Sequence, residues 1–197
     1  MDAFQVLFDG ASLDGWQMCG PGRFTMNDGT MVSEGGMGLL WYSRKRFRDF
    51  ILRLDWKASR REDNSGVFVR LPDLGNDPWV AVSNGYEVQI YDAEPEDGNN
   101  NRAHRTGAIY DFAAPGSIAS GPPGSWNNFE IHAIGHRYAV ILNEKKVTEF
   151  TGSRLLEGYI GVQNHDADSR VAFRNIAIKE LWDSCYCCSQ SYTYVRR

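Results

Sequence analysis

The sequence predicts an all-β chain, folded as a sandwich of two antiparallel sheets, on three observations. Short runs with period-two alternation follow one another from end to end, turn residues separate them at close spacing, and no segment sustains helical periodicity. Taken in order, the first strands are Phe4–Phe8, Gly22–Met26, Thr30–Ser33 and Leu39–Tyr42. Asp49–Lys57 is more regular: Phe50, Leu52, Leu54 and Trp56 alternate with Ile51, Arg53 and Asp55, giving one apolar face. Gly66–Leu71, Gly85–Asp92 and Gly107–Phe112 follow, then Asn127–Ile134, Tyr138–Asn143 and Lys146–Phe150, with a hairpin turn at Asn143-Glu144-Lys145-Lys146. Tyr159–His165 and Arg170–Leu181 complete the set. Two antiparallel sheets packed face to face accommodate this many short strands. A single sandwich domain is expected over residues 1–181, with residues 182–197 as a Cys-rich C-terminal extension.

Composition narrows the function. Hydrophobic residues make up 42% and charged residues 23%, ordinary for a globular protein, and a chain of 197 residues buries an ample core. A net charge of −4 provides no basic footprint for nucleic acid, and no apolar run approaches a membrane span. Aromatics at 13% suit both a β-rich fold and a sugar site, where flat rings stack on pyranose faces. The N-terminus Met1-Asp2-Ala3-Phe4-Gln5 lacks the basic and apolar regions of a secretory signal. The sequence as it stands therefore predicts a cytoplasmic location, or a periplasmic or secreted one if a leader has been trimmed away. Cys185, Cys187 and Cys188 crowd together but lack the Cys-x-x-Cys spacing of a zinc site, so an ordinary tail is expected.

Three loops break the regularity: Pro72–Asn84, Ala93–Thr106 and Ala113–Ser125. The first two flank the strand with the most chemistry. In Gly85–Asp92, Tyr86, Val88 and Ile90 point one way into a core, while Glu87, Gln89 and Tyr91 point the other. Alternate side chains on a strand stand about 7 Å apart, so the second face offers a carboxylate, an amide and a phenol in a row. A row of this kind can grip a polyhydroxylated ligand, although a solvated outer face has the same pattern. A bulge after Gln89 would swing Asp92 onto the Glu87 face, in the spacing of laminarinase-like glycosidases. Retaining chemistry, however, needs two carboxyl groups about 5–5.5 Å apart, and the middle residue here is an amide.

Other candidates surround this row. Asn64 and Ser65 offer short donors and acceptors beside Gly66, and Arg70 shares a face with Phe68, where it could clamp an oxyanion next to Glu87. Gln163 and His165 share one face of a later strand. His104 lies in a polar loop, whereas His132 and His136 fit structural roles.

The ordered motifs carry a resemblance. Phe8-Asp9-Gly10, Leu13-Asp14-Gly15-Trp16, Asp49-Phe50, Asn64–Arg70, Gly85–Asp92, Gly107–Tyr110, Trp126-Asn127, Gly161–His165 and Phe173–Ile176 occur in the order found in the 3-keto-disaccharide hydrolase domain family, which this chain resembles from Phe4 to Leu181. The resemblance implies a concanavalin A-like jelly-roll sandwich. It also implies action on glycosides already oxidised at C3 by a separate dehydrogenase, and in some members a divalent metal ion. Under that implication Glu87 is a base or metal ligand, His165 a base or metal ligand, and Arg70 a stabiliser of developing charge. Tyr110 or Asp92 would supply the leaving-group proton, with Asn64, Gln89, Gln163 and Tyr91 binding substrate and His104 completing a metal site. A C3 ketone acidifies C2–H, so elimination of the C1 substituent needs a base, an acid and an enolate stabiliser, and no nucleophile. The Cys-rich tail and the acidic, Asn-rich stretch Glu94–Arg105 depart from the family pattern. The alternatives are a non-catalytic carbohydrate-binding sandwich and a retaining β-glucanase-like hydrolase.

Overall fold

A computed structural model describes residues 3–93 and 101–181. Two antiparallel sheets face each other. One contains β1 (Gln5–Phe8), β3 (Arg23–Asn27), β4 (Thr30–Glu34), β6 (Phe50–Ala58), β9 (Asn127–Ile134), β10 (Arg137–Leu142), β11 (Lys145–Thr151) and β13 (Val171–Glu180). Its order is β11-β10-β9-β6-β13-β4-β3, with β1 also paired to β13. The other contains β2 (Trp16–Cys19), β5 (Gly38–Phe47), β7 (Ser65–Leu71), β8 (Tyr86–Ile90) and β12 (Gly158–Asn164), in the order β2-β5-β12-β7-β8. The all-β sandwich expected from the sequence is the observed architecture. Between the sheets lies one large core, in which Phe50, Leu52, Leu54 and Trp56 of β6 meet Val67 and Val69 of β7 and Val88 and Ile90 of β8. Alternation places these residues on the same side of their strands, and their burial is the main stabilising term.

Several elements differ from expectation. Gly107–Phe112 is a tight turn with only isolated bridges at Ile109, to Val88 and to Ala113, because Gly107 (φ +87°) and Asp111 (φ +64°) leave the extended region. The stretch Trp16–Cys19 forms an edge strand that periodicity does not reveal, and Pro72–Asn84 contains a short helix, α1 (Trp79–Asn84). The hairpin at Asn143-Glu144 is as expected: both residues have positive φ and join Leu142 to its partner Lys145, the geometry of a two-residue type I′ turn. The Cys185, Cys187 and Cys188 cluster, the 182–197 extension and Glu94 to Asn100 lie outside the described residues.

The five-stranded sheet is unusual in being buried on both faces. Its outer side carries a second apolar cluster of Leu39, Trp41, Phe68 and Leu71, roofed by Leu74 and by Ala81 of α1. Beyond the end of this roof the outer face turns polar, and there the pocket opens.

Candidate active site

A pocket of about 210 Å³ is lined by Asn64, Glu87, Gln89, Tyr110, Gln163 and His165, with Met37, Trp79 and Val82 at its apolar side. Glu87 and Gln89 come from β8, Asn64 immediately precedes β7, and Gln163 and His165 come from β12 and its end. The Glu87 face of β8 is therefore the floor of a cavity, and every residue of the strand is buried. Gly66 makes room for the carboxyl: a Cβ there would stand 2.1 Å from Glu87 Oε1. The Gln89 amide is satisfied when its nitrogen faces Glu87 Oε1 (3.0 Å) and Ser65 O (3.1 Å).

Burial governs the protonation of Glu87. With water excluded and the Asp111 carboxylate nearby, its pKa is pushed up to about 8, so it carries its proton at neutral pH. Burial, then Asp111 and Glu87 itself, also push the Tyr110 phenol up, which keeps it a hydrogen-bond donor. Tyr110 sits at the tip of the turn that replaces the expected strand, where its N–H donates to Glu87 O at 2.9 Å. The His104 ring stacks on the Tyr110 ring (4.4 Å between centroids, 10° between planes), and His104 Nε2 lies 2.5 Å from Asp111 Oδ1.

On the opposite wall, His165 Nδ1 bonds Asp166 Oδ2 at 2.9 Å. Partial burial alone would raise the Asp166 pKa. Hydrogen bonds from His165, from the Ser169 N–H and hydroxyl and from the Asp168 N–H outweigh it and bring the value to about 2. A permanently ionised Asp166 selects the tautomer with the proton on Nδ1 and leaves Nε2 as an acceptor. Ser169 Oγ in turn accepts from the Asn64 N–H at 2.8 Å, tying this loop to the start of β7. Gln163 is 3% exposed and its Oε1 has no partner among the described residues, an acceptor that a ligand hydroxyl would satisfy.

Arg70 does not join this site. Between Tyr159 and Gly161 of β12, β7 inserts one extra residue, so that Leu71 joins Phe68 on the outer face and Arg70, at φ +61°, turns into the core between the sheets. There it is fully buried among the carbonyls of Phe47, Arg48, Ala133 and Gly135 and the Tyr138 hydroxyl, 3.6 Å from Asp49. Simple alternation misplaces it for that reason. Asp92 is also elsewhere: β8 ends at Ile90, and Asp92 lines a separate pocket with Arg61 and Arg102. Tyr91, beyond the strand end, is not among the lining residues of the Glu87 pocket. His104 braces Tyr110 from behind rather than entering the pocket. No group of three or more His, Cys, Asp or Glu comes together among the described residues, so Glu87 and His165 form an incomplete protein ligand set for a divalent ion. Trp79, Met37 and Val82 escaped the sequence reading. The signal for Trp79 was an aromatic residue inside a long loop beside the key strand.

A family model described as the 3-keto-alpha-glucoside-1,2-lyase-like domain matches residues 3–179. Two solved structures from Parabacteroides distasonis, each described as a "putative glycosyl hydrolase", share the fold. One is 22% identical with a TM-score of 0.77, covering 91% of this chain and 95% of that one. The other is 29% identical with a TM-score of 0.75, covering 91% and 100%. A Bacillus subtilis protein with a galectin-like fold is 14% identical, with a TM-score of 0.66 over 91% of this chain and 98% of its own. No curated protein sequence matches the chain.

Proposed function

Since the chain belongs to the 3-keto-alpha-glucoside-1,2-lyase-like domain family, we propose that it cleaves glycosides bearing a ketone at C3, by removing the C2 proton and eliminating the C1 substituent. One arrangement supports this most. Among the described residues the pocket holds a single carboxyl, kept protonated at neutral pH, together with an imidazole whose second nitrogen is held by an ionised carboxylate. A double-displacement glycosidase needs two carboxyl groups about 5–5.5 Å apart, and among the described residues the pocket lining contains only one.

The roles follow from protonation. His165 Nε2 takes the C2 proton, and the C2–H electrons become an enolate whose oxygen, formerly the C3 ketone, accepts a hydrogen bond from the Tyr110 phenol. As the enolate collapses, a C1–C2 double bond forms and the C1–O bond breaks. The departing oxygen takes the Glu87 proton. Water can then add to the enone at C1, giving its proton to the Glu87 carboxylate while the imidazolium returns a proton to C2, which restores both groups. The net result is hydrolysis. Glu87 is thus the acid of the first step, in place of the base or metal-ligand role that the family resemblance implies. Asn64, Gln89 and Gln163 hold the sugar hydroxyls. No step is routed through a metal ion. The ketone itself would come from a separate C3-oxidising dehydrogenase.

Incubation with an aryl 3-keto-glucoside tests the proposal. Release of the aglycone is expected, with none from the unoxidised glycoside, and Glu87→Gln should slow it about 10²- to 10⁴-fold. The first-step rate should fall as the pH rises through about 8, where Glu87 loses its proton; a rate that climbs through that range would restore the base role. Tight binding of unoxidised glycans with no release from the keto-glycoside would point to the carbohydrate-binding alternative.

A further inference from the structure

We propose that a second pocket, at the end of β8, binds an anionic sugar, one bearing a phosphate or carboxylate group. This cavity of about 650 Å³ shares no lining residue with the Glu87 pocket among the described residues. Among the described residues, Arg61 and Arg102 line it with one carboxylate, Asp92, in a chain whose net charge is −4, and Arg105, already engaged with the Ala93 carbonyl, stands beside them. Arg61 and Arg102 thus bring two cations to one concave surface against the overall charge balance, an arrangement that attracts anions. Among the described residues, the exposed Arg61 side chain has no hydrogen-bond or ion-pair partner, and Arg102 spends one N–H on Pro115 O at 2.8 Å, leaving most of its donor fork open. Guanidinium forks match the paired oxygens of a phosphate or carboxylate, whereas neutral sugars offer them little.

The rest of the lining narrows the ligand. Ser117 and Ser120 supply hydroxyls, and Asp92 can accept from a sugar hydroxyl. No Phe, Tyr, Trp or His lines the cavity among the described residues, which offer a nucleobase no ring to stack on. The volume lies within the ordinary range of about 300–1,000 Å³ for small-molecule sites.

Binding is read directly, without turnover, and so stands apart from the fate of the Glu87 proposal. Calorimetric titration of the full chain with glucose 6-phosphate, glucuronate and glucose should give binding of at least one anionic sugar and none of glucose. Comparison of the two anions identifies the preferred group. Arg61→Ala, at an exposed position that leaves folding intact, should weaken that binding about tenfold or more, and so should added salt. Glu87→Gln should leave it unchanged. Failure of both anions to bind, or binding indifferent to both Arg61→Ala and Arg102→Ala, would overturn the proposal.

Discussion

Arg70 and Glu87 are two buried ionisable side chains on paired strands of one sheet, and they are treated in opposite ways. Arg70, with no solvent exposure, is surrounded by backbone carbonyls, a tyrosine hydroxyl and the Asp49 carboxylate, and its guanidinium lies 5.3 Å from the centre of the Phe50 ring. Glu87, 8% exposed, has the Gln89 amide beside it and an acidic neighbour in Asp111. A buried charge that is fully compensated holds a fold together; one left short of partners changes its protonation state, which is what proton-transfer chemistry can use. Arg70→Ala should therefore be the most damaging substitution, because it strands several buried carbonyls and a carboxylate together. A loss of about 3–5 kcal/mol is expected in urea denaturation, and a loss under about 1 kcal/mol would show that water or neighbours replace the guanidinium.

Glu87→Gln should shift stability in the other direction. Below its ordinary value of 4.5 the carboxyl is protonated in both folded and unfolded chains, and its burial then carries no ionisation penalty. Between there and about 8 the unfolded chain gives up the proton while the folded one keeps it, so stability falls as the pH rises and levels off above about 8. The penalty removed by Glu87→Gln is on the order of 3–5 kcal/mol at alkaline pH and close to nothing at pH 4. Thermal melts of the two proteins across this range should diverge with pH. Parallel curves would mean that Glu87 is ionised in the pocket and that the contrast with Arg70 fails.

Asp166 sharpens the same contrast, since its carboxyl is held near 2 by donors while that of Glu87 is pushed to about 8 by burial and by the nearby Asp111. Asp166→Asn removes the charge that fixes the His165 tautomer. On the proposed chemistry kcat should fall on the order of 10²-fold with KM nearly unchanged. A rise in KM with kcat preserved would assign Asp166 to holding its loop, where it also accepts from the Asp168 and Ser169 N–H groups.

The sequence made the fold and half of the site legible, and each miss has a local cause. Period-two alternation identified β6 and β8 because both keep unbroken parity. It also brought Glu87 and Gln89 to one face, and Gln163 to the face that meets them. Parity fails where an extra residue enters, and the bulge in β7 sent Arg70 into the core rather than to the pocket. The turn at Gly107–Asp111 looked extended because its positive-φ residues are interspersed with Ala108, Ile109 and Tyr110, yet that turn is what carries Tyr110 to Glu87. The protonation of Glu87 was not legible at all, since it depends on how completely α1, β12 and the 107–111 turn exclude water.

Trp79 tests the one side of the pocket that involves no charge. Its ring is 61% exposed on α1, beside Met37 and Val82, and nothing in the core depends on it. An aromatic left in water at a pocket rim gains by stacking on an incoming ring, and such pairs contribute about 0.5–1.5 kcal/mol beyond area burial. Trp79→Ala should therefore raise KM for the keto-glycoside about two- to tenfold, leave kcat near its original value and shift stability by less than about 0.5 kcal/mol. The effect should grow when the aglycone is aromatic and shrink when it is a small alcohol, because only the former presents a second face to the indole. A fall in kcat equal to the rise in KM would mean that Trp79 orients the scissile bond, which would extend the reacting geometry beyond Glu87, His165 and Tyr110 to the roof of the pocket.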